Sequence, residues 1–124
     1  MGLILFVGMG GFVGAISRFL LSAWVQKSMA MGFPFGTLFV NTLGGFLIGF
    51  LALYFQEHSS SATRAFIIPG FLGALTTFST FSYESVMLLE ESAYVKAMGN
   101  VLVNLIFSLS ATFLGMMLYK KLFL

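Results

Sequence analysis

Four apolar runs, each long enough to cross a lipid bilayer, occupy most of this chain and leave little of it to face water. They cover roughly residues 3–25, 35–55, 65–89 and 98–119. A helix rises about 1.5 Å per residue, so about 20 residues bridge a hydrocarbon core of about 30 Å. The links are short and polar: Lys27, Gly32 and Pro34 in the first, Glu57, His58 and Ser59, Ser60 and Ser61 in the second, Glu90, Glu91 and Lys96 in the third. Trp24, Tyr54, Tyr94 and Tyr119 fall near run ends, where an amphipathic ring suits the headgroup layer. The pattern predicts an all-α integral membrane protein with one four-helix domain over residues 1–124.

Composition excludes several alternatives. Of the 124 residues, 59% are apolar and 8% charged, too few polar groups to coat a soluble domain of this size. Cysteine is absent, which removes disulfides, thiolate metal sites and cysteine nucleophiles. The single histidine, His58, lies in a polar link and cannot hold a metal alone. The net charge of +2 comes from cations scattered at run ends, so anionic lipid rather than nucleic acid is the expected partner. The apolar N-terminal run has no basic start and no clear cleavage site before Trp24, and it reads as a first span that serves as its own insertion signal.

Orientation is ambiguous in an informative way. If the N-terminus is cytoplasmic, Arg64, Lys120 and Lys121 face the cytoplasm and Arg18, Lys27 and Lys96 the other side. Three against three leaves no Lys/Arg bias to fix a topology. Chance in a small protein accounts for such a tie; so does insertion in both orientations. Four helices are also too few to enclose much of a pore, and together these points favour an antiparallel, dual-topology homodimer. Gly10 with Gly14, and Gly45 with Gly49, have the small-xxx-small spacing that lets helices approach closely. The spacing does not say whether the partner is the same chain or another.

The third run is chemically the most unusual. Pro69 and Gly70 open it, Gly73 follows, and five hydroxyl residues (Thr76, Thr77, Ser79, Thr80 and Ser82) fall within seven positions. Glycine and β-branched threonine are weak helix formers, and hydroxyls can satisfy freed backbone groups. A mid-membrane break fits this composition, and it would have to be buried or line a wet cavity. A continuous helix with hydroxyls bonded back to its own carbonyls is the other reading. The fourth run carries a polar stripe of Asn100, Asn104, Ser108 and Thr112, whose spacing of four drifts by only about 40° per step. The stripe serves either core packing or a conducting track. Asn41 and Thr37 add polar groups one turn apart in the second run. Two charges lie close to the membrane interior: Arg18 at the end of the first run, either snorkelling or facing a vestibule, and Glu84 beyond the hydroxyl cluster, either paired with a cation or capping polar groups.

An interior of hydroxyls, amides and sixteen phenylalanines, without aspartate or histidine in a span, suits an anion better than a proton-coupled cation. Ring edges are electropositive, and Phe78 and Phe81 would share a face if helix resumes after a break. A four-helix multidrug exporter would need a carboxylate in the first run, which holds only Arg18. A membrane scaffold would explain the glycines but not the hydroxyl cluster or the stripe. These arguments permit fluoride without selecting it.

The runs GFVGAISRF at 11–19, GTLFVNTLGGF at 36–46 and GFLGALTTFSTFS at 70–82 together resemble the Fluc (CrcB-type) fluoride channel family, over essentially the whole chain. That resemblance implies a passive, fluoride-selective channel and not an enzyme, exporting cytoplasmic fluoride across a microbial plasma membrane as an antiparallel homodimer. It implies a structural sodium ion at the dimer centre, held by the backbone carbonyls of Gly73 and Thr76. It assigns Phe78 and Phe81 to an aromatic box beside the ion, Asn41 to an amide donor, and Ser108 with Thr112 to the polar track. Thr37 and Ser79 become accessory pore hydroxyls, Arg18 marks the vestibule, and Glu84 and Asn104 support the site.

Overall fold

A computed structural model describes residues 2–29 and 32–124. Its elements are α1 (Gly2–Met29), α2 (Phe35–His58), α3 (Ser61–Ala65), a π-helical segment (Phe66–Leu72), α4 (Gly73–Leu75), α5 (Phe78–Glu90) and α6 (Tyr94–Phe123). Together they make four helical spans of 28, 24, 30 and 30 residues, all apolar enough to cross a membrane. The helices outrun the apolar runs that predict them, by up to four residues at each end. The runs mark hydrocarbon depth, whereas the helix continues into the headgroup layer, where long side chains reach water.

The third span, Ser61–Glu90, is bent in two ways. At Pro69 the chain lacks a backbone N–H, and the proline ring crowds the carbonyl four residues back. The turn widens into a π-helix, which accommodates both defects. At Thr76 and Thr77 the helix stops outright: Thr76 has φ −88 and ψ 158, Thr77 has φ −151 and ψ 122, and helix resumes at Phe78. The interruption falls at the middle of the span, hence near the bilayer midplane. The break expected from the hydroxyl cluster is therefore present.

This break also redirects packing. Before it, α3, the π-helical segment and α4 lie against α1; after it, α5 lies against α6. Only α2 touches every other element, and its most extensive partner is α6. Glycines make both crossings close. A Cβ at Gly10 would collide with the Phe66 carbonyl and one at Gly14 with the Phe71 carbonyl, so α1 lies directly on the π-helical segment. Gly45 and Gly49 meet the Ser108 and Thr112 backbone of α6, and Gly115 returns the contact against Phe46 and Phe50 of α2. Both small-xxx-small pairs thus serve packing within the chain.

The ends are tied by polar side chains. The Gln26 amide donates to the Phe33 carbonyl (2.8 Å) and accepts from the Gly36 N–H (3.0 Å), capping α2 where Pro34 offers no side-chain cap. At the opposite end the Tyr119 hydroxyl donates to the Glu57 carboxylate (2.8 Å), joining the C-terminal ends of α2 and α6. Outward faces carry Leu5, Phe12, Phe19, Leu109 and Phe113, all exposed. Such a surface is at home in hydrocarbon and would aggregate in water.

Candidate functional site

The break is held open by a single side chain from another span. Asn41 of α2 accepts from the Thr77 N–H through Oδ1 (2.7 Å) and donates from Nδ2 to the Thr77 carbonyl (3.0 Å), pairing with the extended backbone as a neighbouring strand would. Its second amide hydrogen reaches Asn104 Oδ1 of α6 at 3.3 Å. Thr77 then restarts the helix: its hydroxyl accepts from the Thr80 N–H (3.1 Å), a side-chain N-cap.

These bonds have a consequence for the carbonyls upstream. In an unbroken helix the Thr77 N–H would bond the Gly73 carbonyl, and the Thr80 N–H the Thr76 carbonyl. Asn41 takes the first donor and the Thr77 hydroxyl the second. Among the described residues no backbone bond outside the helices replaces either one. The Gly73 and Thr76 carbonyls are therefore free acceptors at mid-membrane depth, and so, on the same ground, are those of Ala74 and Leu75 between them. Gly73 also lies exposed, with only the Ile68 carbonyl within 4 Å of where a Cβ would stand (3.7 Å). This set of neutral oxygens fits a hard monovalent cation.

Both residues border a cavity of about 370 Å³, as do Asn41, Phe78, Phe81, Asn104 and Ser108. Phe81 is 8% exposed while Phe78 is 75% exposed and projects from the protomer. Their rings are 5.4 Å apart and tilted by 59°, an edge-presenting arrangement.

The polar stripe of α6 divides at this level. Asn100 donates to Ser85 Oγ (2.9 Å), and Asn104 donates to the Asn100 carbonyl and to Asn100 Oδ1 (both 2.9 Å). Both asparagines are buried in a packing network, at whose edge Asn104 borders the cavity. Farther along, the Thr112 hydroxyl donates to the Ser108 carbonyl (2.9 Å). The Ser108 hydroxyl makes no hydrogen bond among the described residues, and Ser108 borders the cavity. Core packing thus accounts for the Asn100 and Asn104 half of the stripe, while Ser108 borders the cavity.

Other expected residues lie elsewhere. Arg18 and Thr37 line a separate cavity of about 240 Å³ with Ser22, Thr77 and Thr80, and Thr77 borders both cavities. Ser79 is exposed beside the cap, 3.2 Å from the Thr77 hydroxyl. Glu84 borders a third cavity with Gln26, Tyr83 and Glu91, and its Oε1 is buried without a partner among the described residues. Thr77 and Ser85 are not singled out by the sequence reading. The T-x-x-T spacing of Thr77 and Thr80 was the available sign of a cap, and only tertiary contact identifies Ser85.

The sequence profile of the family described as "CrcB-like protein, Camphor Resistance (CrcB)" matches residues 5–116, which include every residue of these three cavities. The chain belongs to the CrcB-like family. Among relatives of this CrcB-like chain, the "Fluoride-specific ion channel FluC" of a Sulfurovum species is 53% identical over 121 residues, covering 98% of this chain and 96% of that protein. The protein of the same name from a Nitratiruptor species is 50% identical over 117 residues, covering 94% and 91%. "Fluoride-specific ion channel FluC 1" of Methanosarcina acetivorans is 47% identical over 115 residues, covering 90% and 86%. CrcB-like relatives bearing that name thus align with the whole four-span unit.

Proposed function

We propose that this protein is a fluoride-selective channel that lets cytoplasmic fluoride leave passively across a microbial plasma membrane, working as an antiparallel homodimer. The observation that carries the reading is a break in the third span that opens, at mid-membrane, onto the face where Phe78 projects. Free carbonyls cannot face lipid at that depth. A second copy turned upside down places the same break opposite, and covers both. Balanced Lys/Arg numbers at the two ends suit insertion in either orientation.

Each part of the site has a role in this reading. The Gly73 and Thr76 carbonyls of both copies would supply four neutral oxygens to a sodium ion, whose charge fixes the two breaks together. Fluoride sheds water only where donors replace it, and the unpartnered Ser108 hydroxyl and the edges of Phe78 and Phe81 are placed for that. Asn41 is first an anchor; its long bond to Asn104 is the one an anion would displace to gain the amide. Arg18 and Thr37, joined to the main cavity through Thr77, form the vestibule.

Reconstituted vesicles loaded with fluoride, with the potential clamped by a potassium ionophore, test the proposal. A fluoride electrode will record rapid efflux, and chloride-loaded vesicles will hold their ion; retained fluoride refutes the channel. Phe81→Ile keeps the bulk but removes the ring edge, an interaction of about 0.5–1.5 kcal/mol. Its efflux should fall by about twofold to tenfold, and a wild-type rate removes Phe81 from the path.

A further inference from the structure

One cavity takes no part in this scheme. It measures about 460 Å³ and lies between the N-terminal end of α1, the C-terminal end of α2 and the start of the third span. Gln56, Ser61 and Arg64 line it near the helix ends, and Ala52, Ile68 and Pro69 line it deeper in the spans. We infer that it binds an anionic phospholipid, with Arg64, Gln56 and Ser61 on the headgroup phosphate and an acyl chain along Ala52, Ile68 and Pro69.

Depth supports this first. Arg64 stands three residues into the span and Gln56 two from the end of α2, the level at which a lipid carries its phosphate. Below them the wall becomes apolar in the order a lipid does, at Ala52 of α2 and at Ile68 and Pro69 of the third span, and the widened turn at Pro69 shapes that lower wall. Charge supports it next. Among the described residues Arg64 has no ion pair, and the closest carboxylate in sequence, Glu57, accepts from Tyr119 instead. No carboxylate lines the cavity, so nothing there would hold the ammonium of a zwitterionic headgroup. None of the Gln56, Ser61 and Arg64 side chains hydrogen-bonds another described residue. Three donor side chains at headgroup level, one of them an uncompensated guanidinium, are suited to phosphate oxygens.

Native mass spectrometry of the purified protein, titrated with phosphatidylglycerol or phosphatidylcholine, reads this directly. Phosphatidylglycerol should be retained about fivefold more tightly, and Arg64→Gln should abolish the difference. Arg64→Lys should restore part of it, and Lys120→Gln with Lys121→Gln, cations of the same end outside the cavity, should leave it intact. Equal retention of the two lipids, or an equal loss on removing the outlying lysines, overturns the assignment. Soluble glycerophosphoglycerol is the further arm: if it displaces the lipid as well as the lipid displaces itself, the cavity takes a free phosphate ester and the inference fails. Should Arg64→Gln not yield folded protein, the two-lipid comparison and the soluble competitor decide on the wild type. Because the readout is lipid retention, its outcome is independent of fluoride flux.

Discussion

Vesicles carrying Asn41→Asp will show fluoride efflux reduced about a hundredfold or more. The substitution keeps one acceptor for the Thr77 N–H but deletes the donors to the Thr77 carbonyl and to Asn104. Oxygen then faces oxygen at two contacts. A carboxylate at mid-membrane costs about 2.5–3.5 kcal/mol even on insertion scales, roughly a hundredfold in an equilibrium. It also sets a negative charge beside the cavity an anion must enter. Asn41→Ala separates the two effects, since it removes the anchor and adds no charge; its efflux should lie between wild type and Asn41→Asp. Wild-type flux from a monodisperse Asn41→Ala protein would show that the anchor is dispensable, and wild-type flux from Asn41→Asp would remove the residue from the mechanism.

Gly115→Leu should prevent recovery of folded protein. A Cβ at this position would overlap the Phe46 carbonyl and stand 3.0 Å from the Phe50 nitrogen. Both are backbone atoms of α2, so relief requires α6 to move away from its principal partner. Overpacking of this kind costs about 3 kcal/mol or more, a large share of the roughly 5–15 kcal/mol that stabilises a typical domain. Gly8 provides the control, because nothing lies within 4 Å of its Cβ direction. Size-exclusion profiles in detergent should show loss of the folded peak for Gly115→Leu and retention for Gly8→Leu. A normal profile for Gly115→Leu would mean that α2 and α6 do not cross as closely as described.

The spans were readable from the sequence because twenty apolar residues have few other uses. The hydroxyl cluster pointed to an interrupted third span but did not locate the interruption, because threonine's weak preference cannot place it. What stops the helix at Thr76 and Thr77 is Asn41, 36 residues earlier in the chain. Pro69 was visible, but the widened turn it sits in depends on Gly10 and Gly14 of α1 lying against it. Similarly, the spacing of Asn100, Asn104, Ser108 and Thr112 showed one face and not its division. That division follows from Ser85 and Asn41, which reach only the first two members. Arg18, Thr37 and Glu84 were expected from the cost of polar groups in lipid, yet their assignment to separate cavities needed the packing of α1, α2 and α5.

The dependence of α2 on α6 bears on how the protein is made. During synthesis α2 enters the membrane long before α6 exists, so its glycine seam with Gly45 and Gly49 must wait, bathed in lipid tails, for the last described span to arrive. Until then the anchor Asn41 can reach Thr77 but not Asn104, so the seam between α2 and α6 closes only once α6 is in place.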